Sequence, residues 1–418
     1  MKASKGATQY HLQVLVEVAR QMGKTFELVP LLKTIEQAGR SALGCDRATI
    51  FLYDLEAEEL YSMVATGTKE IRFSSKLGIA GEAARTKSII LVPDAYADPR
   101  FNRQIDQQTG YRTRNMLTLP LIAPDGEVVG VLQVLNKLDG EFKKEDEILA
   151  DALGSLTGIA IKRQMLLDEA AEKQRLEREL NIARDIQQQL LPKQNPELNG
   201  FDIAGWNQPA DQTGGDCYDF HDLGENRLAA MIADATGHGI GPALIISQCR
   251  ALFRAVINKG EDLSQVAGTI NRLLCEDLPE NRFVTICFGV IDPDTCRFNY
   301  VSAGHGPLML FRAKSGKVKQ FNATGLPMGI LPEDDISLAE PIDLQPGDMF
   351  IMLTDGFSEW SRNDGTQYGE DRLIEVIMNN HKLPSADLIQ TLYQDVLRFS
   401  EKSPQRDDLT AVLIKRTA

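Results

Sequence analysis

The stretch IADATGHGIGPAL, residues 232–244, decides how the C-terminal part of this chain folds. An apolar run ends at one acid, Asp234, and three glycines follow within seven residues, with a histidine between the first two. A glycine-rich turn between a strand and a helix lets another group come close to the backbone. The pattern leaves three possibilities for that group: a nucleotide phosphate, a metal ion, or no ligand.

Two common nucleotide-binding motifs do not match this stretch. A Walker loop needs GxxxxGK[ST], and GHGIGPAL has neither the lysine nor the Ser/Thr at the required place. The glycines at 237, 239 and 241 alternate, so they do not form GxGxxG either. Pro242 suits the first turn of a helix, whose N-terminus could still favour a substrate phosphate.

Acids recur where apolar strands of the C-terminal part end. They stand in TGGDCYDF, MIADATGHG, IMLTDGFSEW and QRDDLTAVLI, as Asp216, Asp234, Asp355 and Asp407. One such Asp is an ordinary turn or cap residue, but four on aligned strands would converge at one end of a sheet. Clustered carboxylates repel one another unless a cation lies between them. Hard oxygen ligands favour Mg²⁺ or Mn²⁺, and two or more such ions can promote attack on phosphorus.

The composition of the whole chain narrows the function classes. The chain has 418 residues and a formal net charge of -14, which argues for more than one domain and against a general nucleic-acid binder. The six cysteines form no CxxC pair, so neither a structural zinc site nor a disulfide framework is expected. The N-terminus lacks the apolar core of a signal peptide, and no segment reaches the length of a membrane span. We therefore expect a cytoplasmic protein with neither membrane nor nucleic acid as a partner.

The chain divides by pattern into three sections, at residues 10–163, 164–195 and 196–418. In the first, LVPLLKTIEQAGRSAL has apolar residues at helical spacing, and RATIFLYDL and ELYSMVAT alternate as the strands of a hairpin. Two further strands join at Asp125-Gly126, and a closing helix begins near Glu145. This order predicts a small α+β sensory fold.

The second section is polar and helical. Residues recur at alternating spacings of four and three, as in a coiled-coil seam: Leu176, Leu180, Ala183, Gln187 and Leu190. A helix that continues from Ile148 to Leu191 would be roughly 65 Å long at about 1.5 Å per residue, too long for a small domain. We expect a connector that pairs with its twin in a homodimer; a solvated single helix is the alternative.

The third section alternates strands with two helical stretches, which predicts an α/β sandwich. Its motifs GGDCYDF, ADATGHGIGPAL, SAGHGPLML, GLPMGIL, LTDGFSEW and RDDLT occur in the order typical of the PPM-type serine/threonine phosphatases. Residues 197–418 closely resemble that family, in the branch containing SpoIIE and RsbU. The resemblance implies two or more Mn²⁺ or Mg²⁺ ions, held by Asp216, Asp234, Asp355, Asp407 and the carbonyl of Ala235. It also implies a phosphorylated anti-sigma-factor antagonist as the substrate.

Several polar residues near these motifs are left with open roles. His238 could protonate the departing seryl oxygen or could only shape its loop, because eukaryotic relatives place their histidine where this chain has Thr236. His305 is expected to shape the site without binding metal. Asp219 and Asp408 are candidate supports for the ligands.

Residues 25–165 resemble a GAF domain, a small-molecule-sensing module. The segment NKLDGEFKKEDE matches the NKxₙFxxxDE signature of cyclic-nucleotide-binding GAF domains, at Asn136, Lys137, Phe142, Asp146 and Glu147. An ion pair between Lys137 and Asp146 would connect the last strand to the closing helix without any ligand, and we favour that structural role. A small molecule or cyclic nucleotide stays the candidate ligand.

These observations predict a multidomain α+β protein that is a GAF-regulated phosphoserine/phosphothreonine phosphatase in bacterial signalling. One alternative is a ligand-binding GAF scaffold whose phosphatase-like domain docks a partner without catalysis. A cyclic-nucleotide enzyme is disfavoured, because residues 197–418 resemble no cyclase or phosphodiesterase and the five histidines are scattered.

Overall fold

A computed structural model describes residues 2–24, 27–65, 71–257, 262–332 and 336–417 of the chain. The chain forms two compact units, Met1–Arg175 and Leu176–Ala418, and each is described by itself below.

The N-terminal unit is built on one antiparallel sheet of six strands, in the order β3-β2-β1-β6-β5-β4. Its elements up to the last strand are α1 (Lys2–Lys24), α2 (Leu28–Ala42), β1 (Cys45–Asp54), β2 (Glu59–Ala65), β3 (Arg72–Ser74), α3 (Gly78–Thr86), β4 (Ile90–Val92), α4 (Arg103–Thr109), β5 (Met116–Ile122) and β6 (Val128–Lys137). The two predicted strand pairs are present, because β1 pairs with β2 and β5 pairs with β6.

Apolar side chains on the sheet form two main cores. One contains Ile35 of α2 and Leu132 of β6, together with Leu153 of the closing helix. The other contains Phe51 of β1 and Ala83 of α3. The predicted α+β fold with a central sheet and a closing helix is therefore confirmed.

The closing helix, α5 (Lys144–Leu190), is a single helix of 47 residues, or about 70 Å at 1.5 Å per residue. Acidic residues in its first turn suit the positive end of the helix dipole. It packs tightly on its own unit, since a Cβ on Gly158 would lie 2.3 Å from the carbonyl oxygen of Ile122. The two compact units divide inside α5, between Arg175 and Leu176. The domain boundaries at 163 and 195 stay predictions.

The C-terminal unit contains the end of α5 and two five-stranded antiparallel sheets. The first sheet has the order β14-β11-β10-β9-β8 and the second the order β13-β12-β15-β16-β7. In chain order the elements are β7 (Phe201–Gln208), β8 (Asp216–Gly224), β9 (Arg227–Ala235), α6 (Ile240–Ile257), α7 (Leu263–Asp277), β10 (Val284–Asp292), β11 (Arg297–Ala303), β12 (Leu308–Arg312), β13 (Lys317–Phe321), β14 (Ile342–Asp343), β15 (Met349–Leu353), α8 (Gly356–Glu359), α9 (Glu370–Asn380), α10 (Ser385–Phe399) and β16 (Leu409–Arg416).

Three cores show that the two sheets face each other between two helical layers. Tyr218 and Phe350 belong to the core between the sheets. Phe253 of α6 packs in the core of the first sheet, and Leu392 of α10 packs in the core of the second. The predicted α/β sandwich is confirmed, as a helix–sheet–sheet–helix arrangement.

Helix α6 is long and apolar enough to cross a membrane by length and composition alone. Its buried residues, among them Ile246 and Phe253, pack in the core of the first sheet together with α7. These properties are those of a core helix in a folded domain.

Candidate active site

The first two acids of the predicted cluster lie opposite each other. Asp216 begins β8 and Asp234 lies near the end of β9, and the antiparallel register pairs these two residues directly. The strand order thus brings together two carboxylates that are 18 residues apart in sequence. Asp216 is 4% exposed, so water screens its charge very little.

The other two acids lie at one end of the second sheet. Asp355 follows β15 and Asp407 precedes β16, and these two strands pair along their length. Thr354 and Thr410 connect this end to the first sheet, because their hydroxyls donate to Oδ2 of Asp216 at 2.8 and 2.7 Å. The structure therefore places all four predicted acids at the same edge of the sandwich.

Burial, with mutual repulsion, shifts the pKa values of three of these carboxyl groups upward. Burial raises the pKa of Asp234 to about 7, with repulsion from Asp355 and Asp407 adding to it. Burial, and then the charge of Asp407, raises the pKa of Asp355 to about 6. Burial also raises the pKa of Asp216 well above its usual range. Protons or a cation would relieve this repulsion.

The carboxylate and carbonyl oxygens of this cluster are chemically suited to a hard divalent cation, although the carboxylates are not arranged around one point. Across the described ranges, no group of three or more His, Cys, Asp or Glu side chains is placed to hold a metal ion. Oδ2 of Asp216 is instead directed to the two threonine hydroxyls. The carbonyl of Ala235 lies beside the cluster, 2.8 Å from where a Cβ of Gly215 would be, and the glycine leaves that space open. These oxygen donors are the type that Mg²⁺ and Mn²⁺ prefer.

Asp408 supports the loop that carries Asp216. Its carboxylate accepts hydrogen bonds from the backbone N–H groups of Ala210 at 2.7 Å, Gly215 at 2.5 Å and Asp216 at 3.3 Å. A side chain at Gly214 would not fit, since its Cβ would lie 2.6 Å from Oδ2 of Asp408. Asp408 is therefore a positioning residue, whereas the sequence had left its role open.

The end of α5 contacts the same loop. Nε2 of Gln187 donates to the carbonyl of Gly214 at 2.6 Å, and the N–H of Gly214 donates to Oε1 of Gln187 at 3.1 Å. The sequence had placed Gln187 in a seam between two chains. The structure gives its amide a partner in its own chain, two residues before Asp216.

Asp219 lies outside the cluster. Its buried carboxylate forms ion pairs with Arg250 at 3.0 Å and Arg254 at 2.5 Å, both on α6. These pairs attach α6 to β8, and Asp219 therefore has a role in packing.

The two histidines near the site have different environments. Nδ1 of His238 lies 3.0 Å from Oδ2 of Asp211, and the His238 side chain is 71% exposed. His305 is buried, and its Nδ1 lies 3.0 Å from the hydroxyl of Thr285, which pairs in register with Asp234. Burial lowers the pKa of His305 to about 4. A neutral, enclosed imidazole agrees with the expectation that His305 shapes the site.

The signature residues of the N-terminal unit take part in structural contacts. Lys137 Nζ pairs with Oδ1 of Asp146 at 2.6 Å, and this pair connects β6 to α5 as predicted. The amide of Asn136 donates to the hydroxyl of Tyr111 at 2.8 Å. Tyr111 in turn lines a cavity of the N-terminal unit. Arg47, Phe73 and Gln133 also line this cavity.

Comparisons with known families identify a PP2C-like phosphatase domain and a sensory domain in this chain. Residues 224–417 match the family described as Stage II sporulation protein E (SpoIIE), and residues 27–161 match the GAF domain. The C-terminal unit thus contains a SpoIIE-type PP2C domain of the PPM serine/threonine phosphatases, and the N-terminal unit contains a GAF domain. Both resemblances seen in the motifs are confirmed.

Three individual proteins illustrate the similarity. Phosphoserine phosphatase RsbU of Bacillus subtilis is 28% identical over 245 residues, which are 58% of this chain and 72% of RsbU. The probable 3',5'-cyclic phosphodiesterase pde-5 of Caenorhabditis elegans is 33% identical over 158 residues, but this is 34% of this chain and 21% of that protein. The SiaA-PP2C domain of Pseudomonas aeruginosa has the same fold, with a TM-score of 0.52 and 20% identity over 59% of this chain and 98% of that domain.

Proposed function

We propose that this chain is a metal-dependent phosphoserine/phosphothreonine protein phosphatase whose activity is controlled by its GAF unit. The observation that carries the proposal is the gathering of four strand-end carboxylates within a PP2C fold, with raised pKa values at Asp216, Asp234 and Asp355. Such a cluster destabilises the empty site and favours divalent cations.

Two or more Mn²⁺ or Mg²⁺ ions would be held by Asp216, Asp234, Asp355, Asp407 and the carbonyl of Ala235. When bound, such ions activate water for attack on a phosphate ester and stabilise the charge that develops. The chain's own contribution is positional. The hydroxyls of Thr354 and Thr410 orient Asp216, and Asp408 holds the backbone on which Asp216 stands.

His238 is the group that we propose as the proton donor to the departing seryl or threonyl oxygen. Its exposed ring is accessible to a bound protein, and Asp211 orients it through Nδ1. Histidine is the residue that most often serves as a general acid in reactions of this kind. The rival role, in which His238 only shapes the loop, predicts no dependence on the leaving group.

The substrate that we propose is a phosphorylated anti-sigma-factor antagonist, acting in a bacterial cytoplasm. The resemblance to the SpoIIE and RsbU branch supports this substrate, and RsbU itself is named as a phosphoserine phosphatase. A small phosphoprotein would present its phosphoserine to the exposed edge where Asp407 and His238 lie.

Control by the GAF unit is proposed to act through α5. The helix is continuous from Lys144 to Leu190 and its Gln187 contacts Gly214, next to the loop of Asp216. Exposed apolar residues on this helix, including Ile182 and Ile186, support a homodimer through α5. A ligand changes activity if it favours one of two arrangements of this helix.

The candidate ligand site is the cavity of the N-terminal unit. The guanidinium of Arg47 lies 3.7 Å from the centre of the Tyr111 ring at this cavity, which combines a cation with an aromatic face. A small molecule with a flat ring and an anionic group, such as a cyclic nucleotide, suits both groups. Calorimetric titration with cAMP and cGMP, repeated with Arg47→Ala, tests this ligand.

The full-length chain provides the main experiment. Phosphate release from a phosphoserine protein should require Mn²⁺ or Mg²⁺ and should be lost in Asp234→Asn. Absence of release with any divalent metal would favour a scaffold that docks a partner without catalysis. Hydrolysis of cAMP or cGMP by the wild-type chain would favour a cyclic-nucleotide enzyme instead.

A further inference from the structure

Arg282 precedes β10, and its positively charged side chain contacts the loop that follows Asp234. Its Nη1 donates to the carbonyl of Thr236 at 2.5 Å. The same Nη1 lies 2.6 Å from where a Cβ of Gly237 would be, so only a glycine lets the guanidinium lie there. The side chain is therefore placed against the metal-binding loop and does not extend freely into solvent.

The backbone on both sides of this contact is also connected. The N–H of Thr236 donates to the carbonyl of Phe283 at 3.1 Å, and the N–H of Phe283 donates to the hydroxyl of Thr236 at 3.3 Å. These hydrogen bonds connect the segment of Arg282 to the loop of Thr236. This attachment keeps the guanidinium near the acids with little loss of side-chain entropy on binding.

The charge of Arg282 has no acidic partner within the part of the chain that the structure describes. In the ranges that the structure describes, its one side-chain hydrogen bond is the one to Thr236, and no carboxylate forms an ion pair with it. The residue is exposed, so its other N–H groups face solvent. The exposed N–H groups of an arginine guanidinium can donate hydrogen bonds to phosphate oxygens.

Arg282 contacts the residues that directly follow two of the proposed metal ligands. Thr236 and Gly237 come directly after Asp234 and Ala235, and consecutive Cα atoms are about 3.8 Å apart. The Cα atoms of residues 236 and 237 are therefore at most about 8 and 11 Å from that of Asp234. The carboxylates offset the charge of the proposed metal ions, so a further positive charge beside the site strengthens the attraction of a phosphate dianion.

We propose that Arg282 binds the phosphoryl oxygens of the substrate, and of the phosphate product, at the candidate active site. This inference rests on the proposed phosphatase function and adds a substrate-binding residue to it. The rival is a purely structural role, in which Arg282 only supports the carbonyl of Thr236.

The test compares Arg282→Gln and Arg282→Lys with a matched control, Arg272→Gln, which removes an exposed arginine charge from α7. The measurements use the full chain with Mn²⁺: the inhibition constant of inorganic phosphate, KM for a phosphopeptide, the Mn²⁺ activation constant and the thermal midpoint. We expect Arg282→Gln to weaken phosphate inhibition and to raise KM, each by about 10- to 100-fold, since it removes a charged hydrogen bond. Arg282→Lys should recover part of this loss, and Arg272→Gln should resemble the wild type.

Two results would overturn the inference. One is phosphate inhibition in Arg282→Gln equal to that of the wild type. The other is a weaker Mn²⁺ activation or a lower thermal midpoint with phosphate inhibition unchanged, which is the structural role. If the wild-type chain hydrolyses no phosphoester, the proposed function fails, and calorimetry of inorganic phosphate with the Mn²⁺-loaded wild type and Arg282→Gln then decides on Arg282 alone. Equal affinity, or no binding to either protein, counts against it.

Discussion

The side-chain amide of Gln187 on α5 forms two hydrogen bonds with the backbone of Gly214, one as donor and one as acceptor, as a neighbouring strand would in a sheet. Asp408 supports the next residue, Gly215, through its carboxylate. The loop before Asp216 is thus held by α5 at Gly214 and by Asp408, which precedes β16, at Gly215. Removal of either support should loosen the position of Asp216.

The first prediction concerns Gln187→Ala. The change leaves the N–H and C=O of Gly214 without their partner, so we expect a loss of about 1–3 kcal/mol in stability and a Mn²⁺ activation constant that is several-fold higher. Any response of activity to a GAF ligand should also be reduced. The control is Gln188→Ala, an exposed glutamine on the same helix. If the two variants behave alike, Gln187 does not couple α5 to the loop that precedes Asp216.

The second prediction concerns the acids in the absence of metal. Asp234→Asn removes one of the repelling charges, so the metal-free variant should unfold at a higher temperature than the metal-free wild type at pH 8. Mn²⁺ should raise the thermal midpoint of the wild type but not that of the variant, while phosphatase activity falls about 100-fold or more. Scanning calorimetry with and without EDTA checks both proteins. An equal Mn²⁺ shift in both would place the ion elsewhere.

The third prediction separates the two roles of His238. A proton donor matters for a seryl leaving group but little for p-nitrophenolate, which leaves without protonation. His238→Ala should therefore lower kcat for a phosphoserine peptide by about 10²-fold or more and change p-nitrophenyl phosphate hydrolysis little. Asp211→Asn should give a smaller effect in the same direction. Equal losses on both substrates would indicate that His238 acts through the loop.

The fourth prediction concerns pH and His305. Its pKa in the folded protein is about 4, against an ordinary value of 6.5, because the ring is buried. The unfolded chain therefore binds the proton more readily, and His305 costs stability as the pH falls from about 6.5 towards 4, by about 3 kcal/mol in total. Asp234 and Asp355, with raised pKa values, change stability in the opposite direction, because their cost grows as the pH rises towards 7 and 6 respectively.

His305→Asn isolates the histidine from these acids. We expect the free energy of unfolding of the wild type, measured in denaturant, to fall relative to that of this variant between pH 7 and pH 5. A constant difference would mean that the pKa of His305 is the same in the folded and the unfolded chain.

The sequence predicts the folds of both units and the convergence of the four acids, because these depend on local pattern and on motif order. Strand periodicity marks where β8, β9, β15 and β16 end, and the acids stand at those ends. The motifs LTDG and DDLT also contain Thr354, next to Asp355, and Thr410, three residues after Asp407, so these threonines are a signal in the sequence.

The supporting contacts could not be predicted in the same way. Thr410 and Asp216 are 194 residues apart, and Asp408 and Gly215 are 193 apart, so each contact depends on how the two sheets face each other. The contact of Gln187 with Gly214 was not predicted for a related reason. Heptad spacing tells which residues share a helix face, but it does not tell whether that face meets a second chain or the helix's own domain.

The continuity of α5 across the division between the two units has a consequence for how such proteins can be recombined. Each residue inserted into an α-helix turns everything after it by about 100° and advances it by about 1.5 Å. A different sensor joined ahead of Gln187 would leave the Gln187–Gly214 contact intact, because both residues follow the junction, but it would keep the same helical phase relative to that contact only at particular linker lengths. Exchange of sensors by gene fusion is therefore restricted to junctions of particular lengths, and a linker one residue too long should give a folded enzyme that no longer responds to its signal.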